Sequence, residues 1–331
     1  MTRTAARTRS RNAPVGPSPF AVAGAALPTA KFADPQVTAK GEPRAFVAPT
    51  RIETLWLNTG TLCNLACASC YIESSPTNDA LVYLSHAAAR PFLDEAEATG
   101  VREIAFTGGE PFMNPNFLEL LEDTLERGFE ALVLSNAMKP MQRHAERLRS
   151  IKERFADRLT LRISLDHHTP AVHEAERGAR SWDVAMEGLR WLSRERFSLA
   201  IAGRLLPDET MGEARAGYAA LFEREGFPID AADPARLVLF PEMDEARDVA
   251  EITTACWGIL DKSPGDVMCA TSRMVVHRKG EAAPRVAACT LIPYDPGFDM
   301  GGTLAEAVRP VALNHPHCAR FCVLGGASCS A

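Results

Sequence analysis

The sequence predicts an α/β fold, a partial (β/α)6 barrel with a small Cys-rich C-terminal cluster-binding extension. Three observations carry this. From Leu55 onward, short aliphatic runs alternate with longer amphipathic ones. The alternation ends near Asp244, and six of the nine cysteines lie beyond it. Strands are expected at 54–58, 103–106, 131–134, 160–165, 198–205 and 236–240. Six units are too few to close an eight-stranded barrel, so the sheet stays open, with ligands expected at the carboxyl ends of its strands.

Asn114 and Pro115 are expected to open a helix that turns Phe117, Leu118, Leu121 and Leu125 inward and stops at Gly128, and Ser181 to cap a helix over 182–192. Period and length place further helices at 91–98, 141–155 and 208–225, with Gly100 and Gly226 as stops. Residues 1–50 hold seven of the 23 prolines and no sustained period, which reads as a flexible or draped arm. The barrel is assigned to 51–245 and the extension to 246–331. That extension has a thin core and one expected hairpin, 273–277 and 285–289 about a turn at Lys279-Gly280.

The chain carries 36 Lys/Arg and 42 Asp/Glu, a net charge of −6. Its first 50 residues hold seven of the former and two of the latter, leaving 29 against 40 for the rest. An acidic body argues against nucleic acid as an obligatory partner. No apolar run reaches the ~18 residues of a membrane span. The apolar stretch at 20–27 is short, Ala-rich and preceded by three prolines, a poor signal peptide.

Three cysteines stand at 63, 67 and 70 and six at 256, 269, 289, 318, 322 and 329. Such clustering indicates metal binding. Disulfide frameworks belong mainly to small secreted chains, whereas this chain is large and its cysteine total odd, so a reducing, cytoplasmic setting is expected. Cys63-x3-Cys67-x2-Cys70 follows the first strand directly. Three thiolates on one loop can ligate three irons of a cubane cluster and leave the fourth open. Zinc and free thiols are the alternatives, but zinc usually takes a fourth ligand, and the loop offers no His or further Cys before His86.

This loop resembles the fingerprint of the radical S-adenosylmethionine (radical SAM) enzymes, and a second element stands where that family has one: Gly108-Gly109-Glu110-Pro111, at the end of the second strand. The resemblance spans roughly 52–245. It implies a partial (β/α)6 barrel, S-adenosylmethionine as cofactor and one 4Fe-4S cluster at Cys63, Cys67 and Cys70. It further implies that the Gly-Gly-Glu-Pro segment meets the amino group of the cofactor's methionine moiety, where glycines permit close approach and Glu110 can add a charge-assisted bond. Ser135-Asn136, ending the third strand, resembles the family's polar pair near the cofactor. Ser164-Leu-Asp166 followed by Arg177-Gly178 resembles its Ser-x-Asp and Arg-Gly pattern, near the ribose and carboxylate, with capping or ion pairing as the competing role. Arg204 is a lesser candidate for the carboxylate. Two positions depart from the family: Ser69 replaces an aromatic or His near the adenine, with Tyr71 just after, and His167-His168 stands where many relatives have Gly. The histidine pair either lines a substrate pocket or is simply solvated.

The tail resembles the family's SPASM and shortened twitch extensions: Cys269 before the hairpin, Cys289 after it, 301–308 like the start of a short helix, then Cys318, Cys322 and Cys329, with Cys256 as an early extra ligand. The resemblance implies one auxiliary iron–sulfur cluster, with zinc on four thiolates as the alternative. It also implies an electron donor such as flavodoxin or ferredoxin. The expected activity is reductive cleavage of S-adenosylmethionine to start radical modification of a peptide side chain. Oxidation or rearrangement of a small molecule, and a non-catalytic iron–sulfur or zinc protein, are the competing readings.

Overall fold

The structure is a computed structural model and describes residues 16–326. In chain order its elements are β1 (Phe46–Val47), β2 (Thr54–Asn58), α1 (His86–Thr99), β3 (Glu103–Thr107), α2 (Phe117–Glu126), β4 (Glu130–Ser135), α3 (Lys139–Gln142), α4 (Ala145–Phe155), β5 (Leu159–Ser164), α5 (Pro170–Arg177), α6 (Ser181–Arg194), β6 (Ser198–Arg204), α7 (Met211–Glu225), β7 (Leu237–Phe240), α8 (Cys256–Ile259), β8 (Ser272–Val276), β9 (Arg285–Ala287), β10 (Asp299–Gly301) and β11 (Val311–Ala312). Strands β2 to β7 pair in parallel and in chain order, each joined to the next through helix, as βαβ units require. All five residues of β2 are buried, which is how strands covered on both faces read. Truncating Trp56, 1% exposed, to Ala costs about 3–5 kcal/mol.

All six expected strands are present, with ends shifted by a residue or two. Helix starts differ more. Helix α1 begins at His86 rather than 91, because the Ser85 side chain accepts from Ala88 N and caps it; Pro91 then sits inside the helix. The stretch 141–155 divides into α3 and α4, with Arg143 and His144 between them. Asn114 lies upstream of α2 as a brace: its side chain donates to Thr59 O and Leu84 O and accepts from Asn116 N. Ser181 does not cap. It is the first residue of α6, Arg180 (φ 64°) precedes it, and the buried Ser181 hydroxyl has no hydrogen-bond partner. Helix α7 starts at Met211 through a reciprocal box between Thr210 and Glu213.

The tail is not a separate layer. The expected hairpin forms as β8 and β9, but β8 also pairs in parallel with β2, so tail and barrel share one nine-stranded sheet ordered β10-β9-β8-β2-β3-β4-β5-β6-β7. Residues 301–308 form turns instead of a helix, with the Glu306 carboxylate accepting from Gly302 N. Residues 16–50 of the arm are draped over the molecule. β1 pairs with β11, and Arg44, 1% exposed, donates to Asp34 O, Val37 O, Leu313 O and Glu251.

Candidate cluster and cofactor site

Parallel strands end on one side of their sheet, and the loops leaving those ends build one cavity. It is lined from β2 by the cysteine loop, from β3 by Gly108 and Gly109, from β4 by Ser135 and Asn136, from β5 by Ser164 and Asp166, from β6 by Arg204 and from β7 by Phe240. Cys63, Cys67, Cys70, Tyr71 and Arg177 line it too. Glu110 and Pro111 stand just behind this lining, both buried.

The two glycines are dictated by the cysteine loop. Gly108 has φ +143°, and a Cβ there would lie 2.6 Å from Gly60 O; at Gly109 it would lie 2.2 Å from Leu62 O. Gly109 N donates to Gly60 O at 2.7 Å and Glu110 N to Leu62 O at 3.1 Å. No side chain fits where these two segments touch, immediately before Cys63.

The Glu110 carboxylate is turned into the protein. It accepts from Ser135 Oγ and Asn136 N, each at 2.9 Å, and from Phe112 N at 3.3 Å. Burial outweighs these donors and pushes its pKa up to about 7. Asp166 is gripped by Arg177 through two bonds of 2.6 and 2.9 Å. Burial works to raise the Asp166 pKa, but the guanidinium prevails and holds it below the ordinary range. Arg204 lies 3.3 Å from Glu176 and 3.5 Å from Glu242, donates to Ser69 Oγ, and stacks its guanidinium 4.3 Å over the fully buried Phe20 ring of the arm.

The thiols fit a cluster. Burial pushes all three upward, Cys63 to about 12, so unligated they are neutral at pH 7. Bound iron would ionise them, with Arg177 the cation near all three. A second thiol group lies in the tail, where Cys269, Cys289, Cys318 and Cys322 line one largely apolar cavity with His317. Cys318 and Cys322 come from a π-helix turn at Cys318–Val323. Burial raises Cys269 to about 11 and lifts Cys289 and Cys318 as well, Cys289 helped by Cys322 and Cys318 nearby. Cys256 stands apart, its Sγ accepting from Thr253 N at 3.4 Å, and Cys329 lies outside the described residues.

Two residues escaped the sequence reading. Glu176 (1% exposed) binds the cysteine loop through Ser69, and the arm through Ser18 Oγ at 2.6 Å. His173 is wholly buried, neither of its ring nitrogens has a hydrogen-bond partner, and its pKa is pushed down to about 3 by burial and Arg177. Neither sits in a motif that local sequence would flag.

Residues 57–216 match the model of the Radical SAM superfamily. The chain is 34% identical over 118 residues to the antilisterial bacteriocin subtilosin biosynthesis protein AlbA of Bacillus subtilis, covering 36% of this chain and 25% of that protein. It is 29% identical over 164 residues to the mycofactocin maturase MftC of Mycobacterium ulcerans, covering 50% and 42%. These matches thus span well under half of either relative's length. Among solved structures, Streptococcus suis SuiB bound to S-adenosylmethionine superposes with a TM-score of 0.55 at 12% identity, over 76% of this chain and 63% of that one, and the same protein bound to precursor peptide SuiA gives 0.53 over 74% and 61%. That likeness is one of fold. Residues 57–216, which carry Cys63, Cys67 and Cys70, thus form a radical SAM domain.

Proposed function

We propose that this chain modifies a peptide substrate by radical chemistry begun at the Cys63, Cys67 and Cys70 site. The carrying observation is that one cavity receives all three thiols together with Gly108, Gly109, Ser164 and Arg204. Cys63, Cys67 and Cys70 would hold a 4Fe-4S cluster with one open iron, and S-adenosylmethionine would lie across the strand ends. When bound, the cluster supplies the electron that cleaves the cofactor's carbon–sulfur bond.

The chain's own residues position and shield. Gly108 and Gly109 bring the loop after β3 against the cysteine loop, where their backbone can meet the methionine amine. The Asp166–Arg177 pair keeps a guanidinium beside the thiols. Arg204 offers charge toward a carboxylate, while Phe20 covers its outer face and keeps water away. In the tail, Cys269, Cys289, Cys318 and Cys322 would hold one auxiliary iron–sulfur cluster. Support for a peptide comes from the relatives: a bacteriocin biosynthesis protein, a maturase, and a fold neighbour solved with a precursor peptide. An external electron donor such as a flavodoxin or ferredoxin completes the system.

The test is anaerobic reconstitution with iron and sulfide, then dithionite and S-adenosylmethionine, beside a Cys63/Cys67/Cys70→Ala control. Deoxyadenosine from the intact chain alone, and a mass change on a peptide encoded beside its gene, are expected. Deoxyadenosine with hydrogen abstracted only from a small metabolite overturns the peptide reading. No cleavage by a fully loaded protein, with such peptides present, overturns the enzyme reading.

A further inference from the structure

Away from the thiols, the segments following β5 and β6 bring His167, His168 and Glu209 together. One ring nitrogen of each imidazole and one Glu209 oxygen lie within 4.8 Å of one another. His167 Nε2 stands 3.6 Å from Glu209 Oε2. That is too long for a hydrogen bond, but close to the ~3.4 Å separation of two ligands around a tetrahedral ion with bonds near 2.0–2.1 Å. His167 is 4% exposed, and its buried Nε2 has no hydrogen-bond partner, nor has His168 Nδ1. Leaving such atoms unpaired is costly, and a ligand would remove the cost.

The surroundings favour a cation. The groove runs between arm residues 19–23 and the loop after β6. Its lining includes the carboxylates Asp208, Glu209 and Glu213 with the two imidazoles, and neither Lys nor Arg. Burial works against a positive charge on either imidazole, while Glu209 works for it. Thr169 N donates to His167 Nδ1 at 3.1 Å, and Thr169 Oγ1 lies 2.8 Å from the same nitrogen, so the neutral metal-free ring carries its proton on Nε2, toward Glu209. A metal ion at Nε2 requires that proton to move to Nδ1, where Thr169 Oγ1 can accept it, the outer-shell arrangement usual for metal-bound histidine. The His168 ring lies on Gly217, where a Cβ would come 2.3 Å from it, so that glycine leaves the ring its room. The two rings sit 4.0 Å apart with a 30° tilt, and His168 is partly exposed to the groove.

We propose that His167, His168 and Glu209 form a binding site for a divalent transition-metal ion of the zinc class, with an open coordination position toward this groove. Two imidazoles and a carboxylate suit Zn2+ or Co2+, whereas Mg2+ and Ca2+ call for oxygen donors. Three protein ligands leave a position for an anionic or water ligand. The site uses none of the thiols, so it stands or falls independently of the radical chemistry.

The test is titration of the full-length, cluster-loaded protein with Co2+, then with Zn2+ in competition with a chromophoric indicator, for wild type, His168→Gln and Glu209→Gln. Both substituted side chains are at least partly accessible, and circular dichroism checks their folding beside the more buried His167→Gln. Expected are one equivalent of Co2+ showing visible d–d bands without thiolate charge transfer, and at least a ~10-fold loss of affinity in each folded variant. Binding unchanged by both rim substitutions, a thiolate charge-transfer band, or no wild-type binding at millimolar metal would each overturn the site.

Discussion

Glu176 Oε1 accepts two hydrogen bonds from Ser69, from its backbone N at 2.9 Å and its Oγ at 2.8 Å, so the end of α5 holds the middle of the loop that carries all three barrel thiols. Ala68 N adds a bond to Glu176 O at 2.9 Å, and Arg204 lies 3.3 Å from the carboxylate. The resemblance led to an aromatic or His at position 69, and here Ser69 joins Glu176 and Arg204 in a polar cluster.

Glu176→Ala therefore strips one partner from the buried Arg204 charge and leaves two loop donors of Ser69 without their acceptor. A loss of about 3–5 kcal/mol is expected in denaturant unfolding, with less iron retained per chain. Glu176→Gln, which keeps an acceptor for Ser69, should lose less. Equal iron retention in wild type and the alanine variant would remove the loop-holding role.

The pH dependence of Glu110 runs against the usual carboxylate sense. Its folded pKa, raised to about 7 by burial, exceeds the unfolded value of about 4.3. The folded state therefore keeps a proton that the unfolded chain has released. Its contribution to stability is complete below the unfolded pKa and disappears as pH rises through about 7. Glu110→Gln, always neutral, should flatten the decline in unfolding free energy between these limits in protein free of cofactor; an unaltered slope would mean that the carboxylate is ionised throughout.

Asp166 has the opposite sign. Held low by Arg177 against the effect of burial, it stabilises the fold above its unfolded pKa of about 3.9 and loses that contribution as pH falls through the folded value. Asp166→Asn should cost about 3 kcal/mol at neutral pH and remove part of the loss on acidification below about pH 4. Urea titrations at pH 3 to 7 read both effects.

In the tail, Ala substitution at Cys269, Cys289, Cys318 or Cys322 should each cost up to about four irons per chain after reconstitution, while Cys256→Ala should leave iron content unchanged. Iron loss with Cys256→Ala as large as with Cys289→Ala would place Cys256 among the ligands.

The sequence by itself determined the six parallel strands and the loop at Cys63, Cys67 and Cys70, because both are written locally: a strand in its buried aliphatic run, a cluster loop in the spacing of three cysteines. Gly108 and Gly109 were legible for the same reason, although their steric demand, contact with Gly60 and Leu62, is a fact of packing. Only the tertiary structure decided that β8 joins β2, since either edge of an open sheet can accept a strand and the hairpin's own residues do not say which. It alone gathered four tail thiols around one cavity and left Cys256 outside, brought Glu176 to Ser69 across 107 positions, and laid Phe20 on Arg204. Those contacts join segments far apart in the chain, and a local pattern of hydrophobicity or spacing carries no record of which distant segments will meet.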